Sequence, residues 1–219
     1  TFVVAIPSAI KVFNWVSTIY KGSIYTDPPF WFALAFIFLF SVGGLTGLIL
    51  GSAGTDIYVH DTYFVVAHFH YIIFGGLGFG FFAGMHYWFP KIFGRMYNCK
   101  IAKLSCLVLF IGFNWLYFPM LILGLQGMPR RYADYLPEFF ILQFASTVGS
   151  WALLAGLALM FWNIIYGSLY GRPVASNPWG GATLEWQLPT PLPHNNFVEE
   201  PVVTRGPYGF DDEERNDAC

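Results

Sequence analysis

Long apolar runs alternate with short polar segments along this chain. Four stretches contain no Asp, Glu, Lys or Arg: 28–55, 62–90, 104–129 and 139–171. Each is longer than the roughly 20 residues that a helix needs to cross the hydrocarbon core of a bilayer. Together with an apolar first segment that carries only Lys11, the pattern predicts five transmembrane helices, at about residues 1–20, 30–50, 63–89, 104–125 and 139–170.

The composition supports a membrane protein. Hydrophobic residues make up 56% of the 219 positions and charged residues only 11%, whereas a soluble domain carries about 25% charged residues. We therefore predict an all-α, polytopic transmembrane bundle over residues 1–171, followed by a polar tail over 172–219 that is partly disordered at its acidic end. The net charge of -2 gives no indication of nucleic-acid binding. The chain opens inside an apolar segment without Met, so we expect a fragment of a longer protein.

The distribution of basic residues predicts the orientation. The segment between the third and fourth spans carries four of them, Lys91, Arg95, Lys100 and Lys103. By the positive-inside rule this segment and the tail face the cytoplasm or the mitochondrial matrix. The loop from Asp56 to Asp61 then lies outside, and so do Arg130 and Arg131. Two arginines on the outer side break the rule and need a partner that explains them.

The most informative motif is His68-Phe69-His70 in the third span. Positions two apart on a helix point about 200° away from each other with about 3 Å of rise between them. One imidazole therefore faces each flank of the helix, which suits two separate metals better than one chelated ion. Neutral imidazole is a common axial ligand of haem iron. The alternative is a pair of histidines that hydrogen-bond between helices.

Three further sites have both a functional and a structural interpretation. His60-Asp61 could bind magnesium or manganese, or Asp61 could cap the third helix. Arg130 and Arg131 could bind the carboxylates of haem propionates, or they could pair locally with Asp134 or Glu138. Lys11, with Ser8 three residues before it on the same face, could carry protons, or Lys11 could extend to the inner surface.

Six segments carry a family resemblance, in family order and over nearly the whole chain to about Phe210. They are IPSAIKVFNW, SVGGLTG, VHDTYFVVAHFHY, HYWFPK, GMPRRYADY and WGGATLEW. Together they resemble the main subunit of haem-copper respiratory oxidases, cytochrome c oxidase subunit I. The resemblance implies that these are about five spans from the C-terminal part of a larger, twelve-span bundle.

The resemblance also implies residue roles. His68 would be the proximal ligand of the high-spin haem, His70 an axial ligand of the low-spin haem, and Phe69 would lie between the two haems. His60 and Asp61 would help to bind magnesium. Arg130 and Arg131 would bind haem propionates. Lys11 and Ser8 would belong to a proton-uptake path.

The implied function is reduction of O2 to water with electrons from cytochrome c, coupled to proton translocation. The implied cofactors are two haems, a-type by the resemblance, with copper bound by residues before position 1, and magnesium. The implied partners are the N-terminal remainder of the subunit, the copper-bearing subunit II, subunit III and membrane lipid, in a bacterial plasma membrane or the mitochondrial inner membrane. Two alternatives remain: a quinol oxidase of the same superfamily and a haem-free transporter or channel fragment.

Overall fold

Five long helices dominate the computed structural model, which describes residues 2–197. All five are long and apolar enough to cross a membrane: α1 (Phe2–Ile19), α2 (Pro28–Gly51), a composite third span (Tyr63–Phe93), α6 (Cys99–Leu125), and α7 (Phe140–Tyr170), which a 3₁₀ turn over Pro137–Phe139 precedes. The predicted number of spans is confirmed. The acidic end of the chain, predicted to be disordered, lies outside the described residues.

The third span changes its helical type along its length. It begins as α4 (Tyr63–His70), continues as a π-helix (Tyr71–Gly78), and ends as α5 (Phe79–Phe93) at Gly94, which has a left-handed φ of 65°. The π-helix packs on α2: an added Cβ on Gly75 would lie 2.9 Å from Leu39 Cβ. The histidine motif lies in the regular α4 turn before this change, so the angular argument from α-helical geometry applies to it.

Two helix boundaries differ from the prediction. The fourth span, α6, begins at Cys99 rather than near residue 104, because Asn98 caps it by accepting from the amides of Lys100 and Ile101 at 3.0 and 3.2 Å. The third span runs to Phe93 rather than to residue 89. In both cases basic residues that the sequence suggested were in a loop belong to helix ends.

An aromatic core fills the space between α2, the third span and α6. Its fully buried members are Phe32, Tyr71, Phe79 and Phe113, and the Tyr71 and Phe113 rings meet edge to face at 5.0 Å. In contrast, α1 has no buried residue and meets α2 through Trp15, whose ring lies 5.0 Å from that of Phe36.

The segment after α7 packs back on the bundle. Strands β1 (Arg95–Met96) and β2 (Arg172–Pro173) pair antiparallel, and the short helices α3 (Ala53–Val59) and α8 (Leu184–Gln187) lie at opposite ends of the third span. Lys91, predicted to lie in a basic loop, is buried in α5 and donates to the carbonyls of Ser176 and Leu188. The described part of the tail is therefore docked rather than merely solvated.

Candidate functional site

The His68 ring faces α2 and is held there by two hydrogen-bond partners of its Nδ1. Its Nδ1 lies 3.0 Å from the Gly43 carbonyl oxygen and 3.0 Å from Thr46 Oγ1. A carbonyl oxygen can only accept, so Nδ1 carries the ring proton. The lone pair of the neutral ring is therefore on Nε2, the nitrogen that a metal would bind.

A cavity of about 540 Å³ lies beside this ring, between α1, α2 and the third span. His68, Gly47, Ser8 and Ile72 are among its lining residues. Gly47 makes room for the ring, because a Cβ added there would lie 3.0 Å from His68 Cε1. A substituted residue at position 47 would thus press on the imidazole.

His70 faces the other flank of the helix, toward α6. Its Nδ1 lies 2.8 Å from the Val66 carbonyl oxygen, so this nitrogen also carries the proton and leaves the lone pair on Nε2. The ring stacks on Tyr117 with centroids 4.3 Å apart, and the Phe69 ring lies 4.4 Å away. The two imidazoles therefore point to different helices, as the spacing predicted.

This donor set fits haem iron. A metal-bound histidine almost always donates its other ring N–H to a carbonyl, a carboxylate or water. His68 and His70 both do so, to backbone carbonyls, before any metal is considered. The arrangement can supply one axial nitrogen ligand on each side of a single helix.

The predicted outer sites meet at one end of the bundle. Arg130 Nε and Nη2 lie 2.7 and 2.6 Å from Asp61 Oδ1, and the Arg130 amide donates to the Asp61 carbonyl oxygen at 2.9 Å. The partner of Arg130 is thus Asp61 and neither Asp134 nor Glu138. The hydrogen bond from Arg130 lowers the pKa of the Asp61 carboxyl below its ordinary value of 3.8.

The predicted cap of the third span is wrong. Thr62, not Asp61, caps α4, because Thr62 Oγ1 accepts from the Phe64 amide at 3.2 Å. Asp61 instead adopts a left-handed φ of 55°, and its carboxylate contacts Arg130.

His60 lies between two carboxylates. Its ring nitrogens are 3.6 Å from Asp56 and 3.7 Å from Asp61. Within residues 2–197 there is no group of three or more His, Cys, Asp or Glu side chains placed to hold a metal ion. Magnesium binding by His60 and Asp61 therefore stays a prediction.

Ser8 and Lys11 are placed differently by α1. Ser8 is half-buried, lines the cavity beside His68, and donates to the Val4 carbonyl at 2.9 Å. Lys11 is exposed and is not among the residues that line this cavity. Arg131 is also exposed, with a left-handed φ of 68°.

Sequence reasoning missed the residues that orient the two histidines. Thr46 and Gly43 hold His68, and Tyr117 covers His70. Thr46 and Gly43 lie inside the segment SVGGLTG, which carried part of the resemblance, but nothing in the chain indicates which of its atoms face a histidine. The contact of Asp56 with His60 is likewise not indicated by the sequence.

A helical membrane bundle with an opposed pair of imidazoles on one span defines the class: an integral membrane protein with two candidate metal-ligating histidines on a single helix. The sequence profile described as "Cytochrome C and Quinol oxidase polypeptide I" matches residues 1–155, and the chain belongs to that family. The resemblance inferred from the motifs is confirmed.

Known proteins agree with this assignment. The chain is 43% identical over 218 residues to cytochrome c oxidase subunit 1 of Thermostichus vulcanus, covering 100% of this chain and 40% of that protein. It is 45% identical over 210 residues to the protein of the same name from Synechocystis sp., covering 96% and 38%. The chain thus spans about two fifths of the length of these relatives.

A solved structure has the same fold. A heme-copper terminal oxidase dimer determined by cryo-EM matches with a TM-score of 0.70 and 26% identity, over 80% of this chain and 36% of that one. The bundle described above therefore corresponds to part of a larger oxidase subunit.

Proposed function

We propose that this chain is the haem-ligating C-terminal part of a terminal oxidase that reduces O2 to water. His68 serves as the axial ligand of the high-spin haem and His70 as an axial ligand of the low-spin haem. The observation that carries the proposal is the pair of Nδ1-protonated imidazoles, turned toward α2 and α6 from positions two apart on one helix.

The bound haems supply electron exchange and O2 binding, and this chain supplies the geometry. Two ligands on one helix differ by about 3 Å in height. Since both ligands belong to the same rigid element, His68 and His70 would hold one haem on each flank of the helix. Phe69 lies between the ligands and contacts the His70 ring.

The two arginines at the predicted outer end, Arg130 and Arg131, suit the carboxylates of the haem propionates. Arg130 already holds the Asp61 carboxylate, and Arg131 is exposed at the same end. We propose that both arginines bind propionates, that His60 and Asp61 contribute to a magnesium site, and that Ser8 and Lys11 belong to a proton-uptake path coupled to proton translocation. Copper would be held by the remainder of the subunit.

We propose cytochrome c as the electron donor, with subunits II and III as partners. The relatives are named cytochrome c oxidase subunit 1, but the family description also includes quinol oxidases. A steady-state assay of the whole oxidase with reduced cytochrome c and with reduced quinol separates the two. A pyridine haemochrome spectrum tests the haem-free transporter alternative directly.

The ligand assignment is tested by His68→Ala and His70→Ala in the whole oxidase. We expect His68→Ala to remove the high-spin haem signal and leave the low-spin absorption, and His70→Ala to do the opposite. Since His194 is exposed in the tail, His194→Ala is the matched control and keeps both signals. Loss of only the low-spin signal in His68→Ala would reverse the assignment.

A further inference from the structure

Three groups lie within hydrogen-bond distance of one another: Thr46 Oγ1, the Gly43 carbonyl oxygen and His68 Nδ1. Thr46 Oγ1 donates to the Gly43 carbonyl oxygen at 2.8 Å and lies 3.0 Å from His68 Nδ1. His68 Nδ1 is also 3.0 Å from the Gly43 oxygen. Each of the three groups is thus in hydrogen-bond distance of the other two.

The direction of each hydrogen bond follows from the donors available. The Thr46 hydrogen is committed to the Gly43 oxygen, so the Oγ1 lone pairs face the imidazole as acceptors. The His68 Nδ1–H then has two acceptors, the Gly43 oxygen and Thr46 Oγ1. Thr46 is only 8% exposed, which keeps competing solvent donors away from this contact.

We propose that Thr46 is a positioning residue for His68, fixing its tautomer and ring orientation and strengthening Nε2 as an iron ligand. This inference rests on the proposed ligation of the high-spin haem by His68. A hydrogen bond accepted from the distal N–H raises the basicity of a metal-bound imidazole. Thr46 acts through His68 and is not among the residues that line the cavity beside that ring.

The set also explains why position 46 is polar within an apolar span. A Thr hydroxyl commonly satisfies itself by bonding to a carbonyl three or four residues earlier, as Thr46 does to Gly43. That bond alone would make Thr46 a structural residue. The additional contact to His68, 22 residues away, is not needed to complete the hydrogen bonding of α2. It therefore indicates that Thr46 acts on the histidine.

The test compares Thr46→Val with Thr46→Ser in the whole oxidase. Valine has nearly the shape of threonine but cannot accept a hydrogen bond, whereas serine keeps the hydroxyl. Resonance Raman of the reduced enzyme measures the iron–histidine stretching band. We expect Thr46→Val to shift this band to lower frequency, and Thr46→Ser to keep the wild-type frequency, with the high-spin haem content measured in parallel.

The outcomes separate this inference from the one it rests on. A band that is unchanged or raised in Thr46→Val, with the haem retained, overturns the role of Thr46. If Thr46→Ser shifts the band as far as Thr46→Val does, the hydroxyl is not responsible and the role is also overturned. An iron–histidine band that persists in His68→Ala overturns the proposed ligation itself. Weakened haem retention in Thr46→Val that Thr46→Ser restores supports the proposal, with an expected loss of roughly 10- to 100-fold, as is typical of residues that hydrogen-bond to a metal ligand.

Discussion

At the scale of single residues, charge pairing at the outer end explains what the positive-inside rule could not. Arg130 lies at the end of the bundle that the distribution of basic residues predicts to be outside, and its guanidinium contacts the Asp61 carboxylate through two nitrogens. A guanidinium is never deprotonated in a protein, so the pair persists wherever the carboxylate is ionised. Asp61 is at the surface, and the pair therefore orders the loop more than it stabilises the fold.

This pairing gives a pH prediction for Asp61. Its pKa is lowered in the folded protein, so any stability it contributes is present above the unfolded value near 3.8 and is lost as the pH falls through the folded value. We expect the Asp61 carboxylate to stay ionised at pH 3.8, as seen by infrared difference spectroscopy against Asp61→Asn. In Arg130→Gln the carboxylate should protonate at a higher pH, and an unchanged midpoint would contradict the assigned cause.

At the scale of elements, close helix contact depends on a few glycines. Gly112 of α6 lies against the α7 backbone, so that a Cβ added to it would be 2.5 Å from the Leu153 nitrogen. Gly149 of α7 lies equally close to the α6 backbone, and a Cβ added to it would contact the Leu116 nitrogen. Small residues allow such close packing between membrane helices, where no hydrophobic force drives association. The α6–α7 hairpin therefore relies on close backbone contact as well as on the packing of large side chains such as Leu109 and Met160.

Gly112→Ala should separate this hairpin. The new methyl group would meet backbone, which cannot rotate away, so we expect a loss of about 1–3 kcal/mol in the free energy of unfolding. The measurement is the thermal unfolding midpoint of the purified oxidase in detergent. Gly54→Ala is the control, because a Cβ at that α3 position meets nothing within 4 Å. Equal midpoints for the two variants would contradict close packing at Gly112.

At the scale of the whole molecule, one buried lysine joins the bundle to the tail. Lys91 is only 2% exposed, donates to two tail carbonyls, and has its Nζ 5.5 Å from the Trp186 ring centroid. Trp179 adds a hydrogen bond from its Nε1 to the Tyr87 carbonyl at 2.8 Å. The C-terminal end of the third span and the described tail thus form one packed unit.

Lys91→Met should release the tail. The substitution keeps a long apolar side chain but removes the donor to the carbonyl of the buried Leu188, at a cost of about 1–3 kcal/mol. The Ser176 carbonyl loses one donor and keeps a contact with the Thr190 hydroxyl at 3.4 Å. We expect faster proteolysis between residues 172 and 197, followed by mass spectrometry of the fragments. Lys100→Met, at an exposed position, should leave the cleavage rate unchanged. If both variants resist cleavage like the wild type, Lys91 does not hold the tail.

The sequence by itself determined the number of spans and the opposed directions of the two histidines in the central motif. Uncharged runs longer than a bilayer crossing fix the number of spans, because a membrane admits few other solutions. Likewise, the angle between His68 and His70 follows from helical geometry alone. These are local properties, since each depends on residues close together in the chain.

Only the tertiary structure decided which residues distant in the chain contact one another. Thr46 meets His68, Arg130 meets Asp61, and Lys91 meets Leu188 across 22, 69 and 97 positions. Such contacts depend on how helices cross and how loops turn, including the left-handed conformation of Asp61. No periodicity encodes them, because a hydrogen bond between distant residues is set by the packing of the elements that carry them.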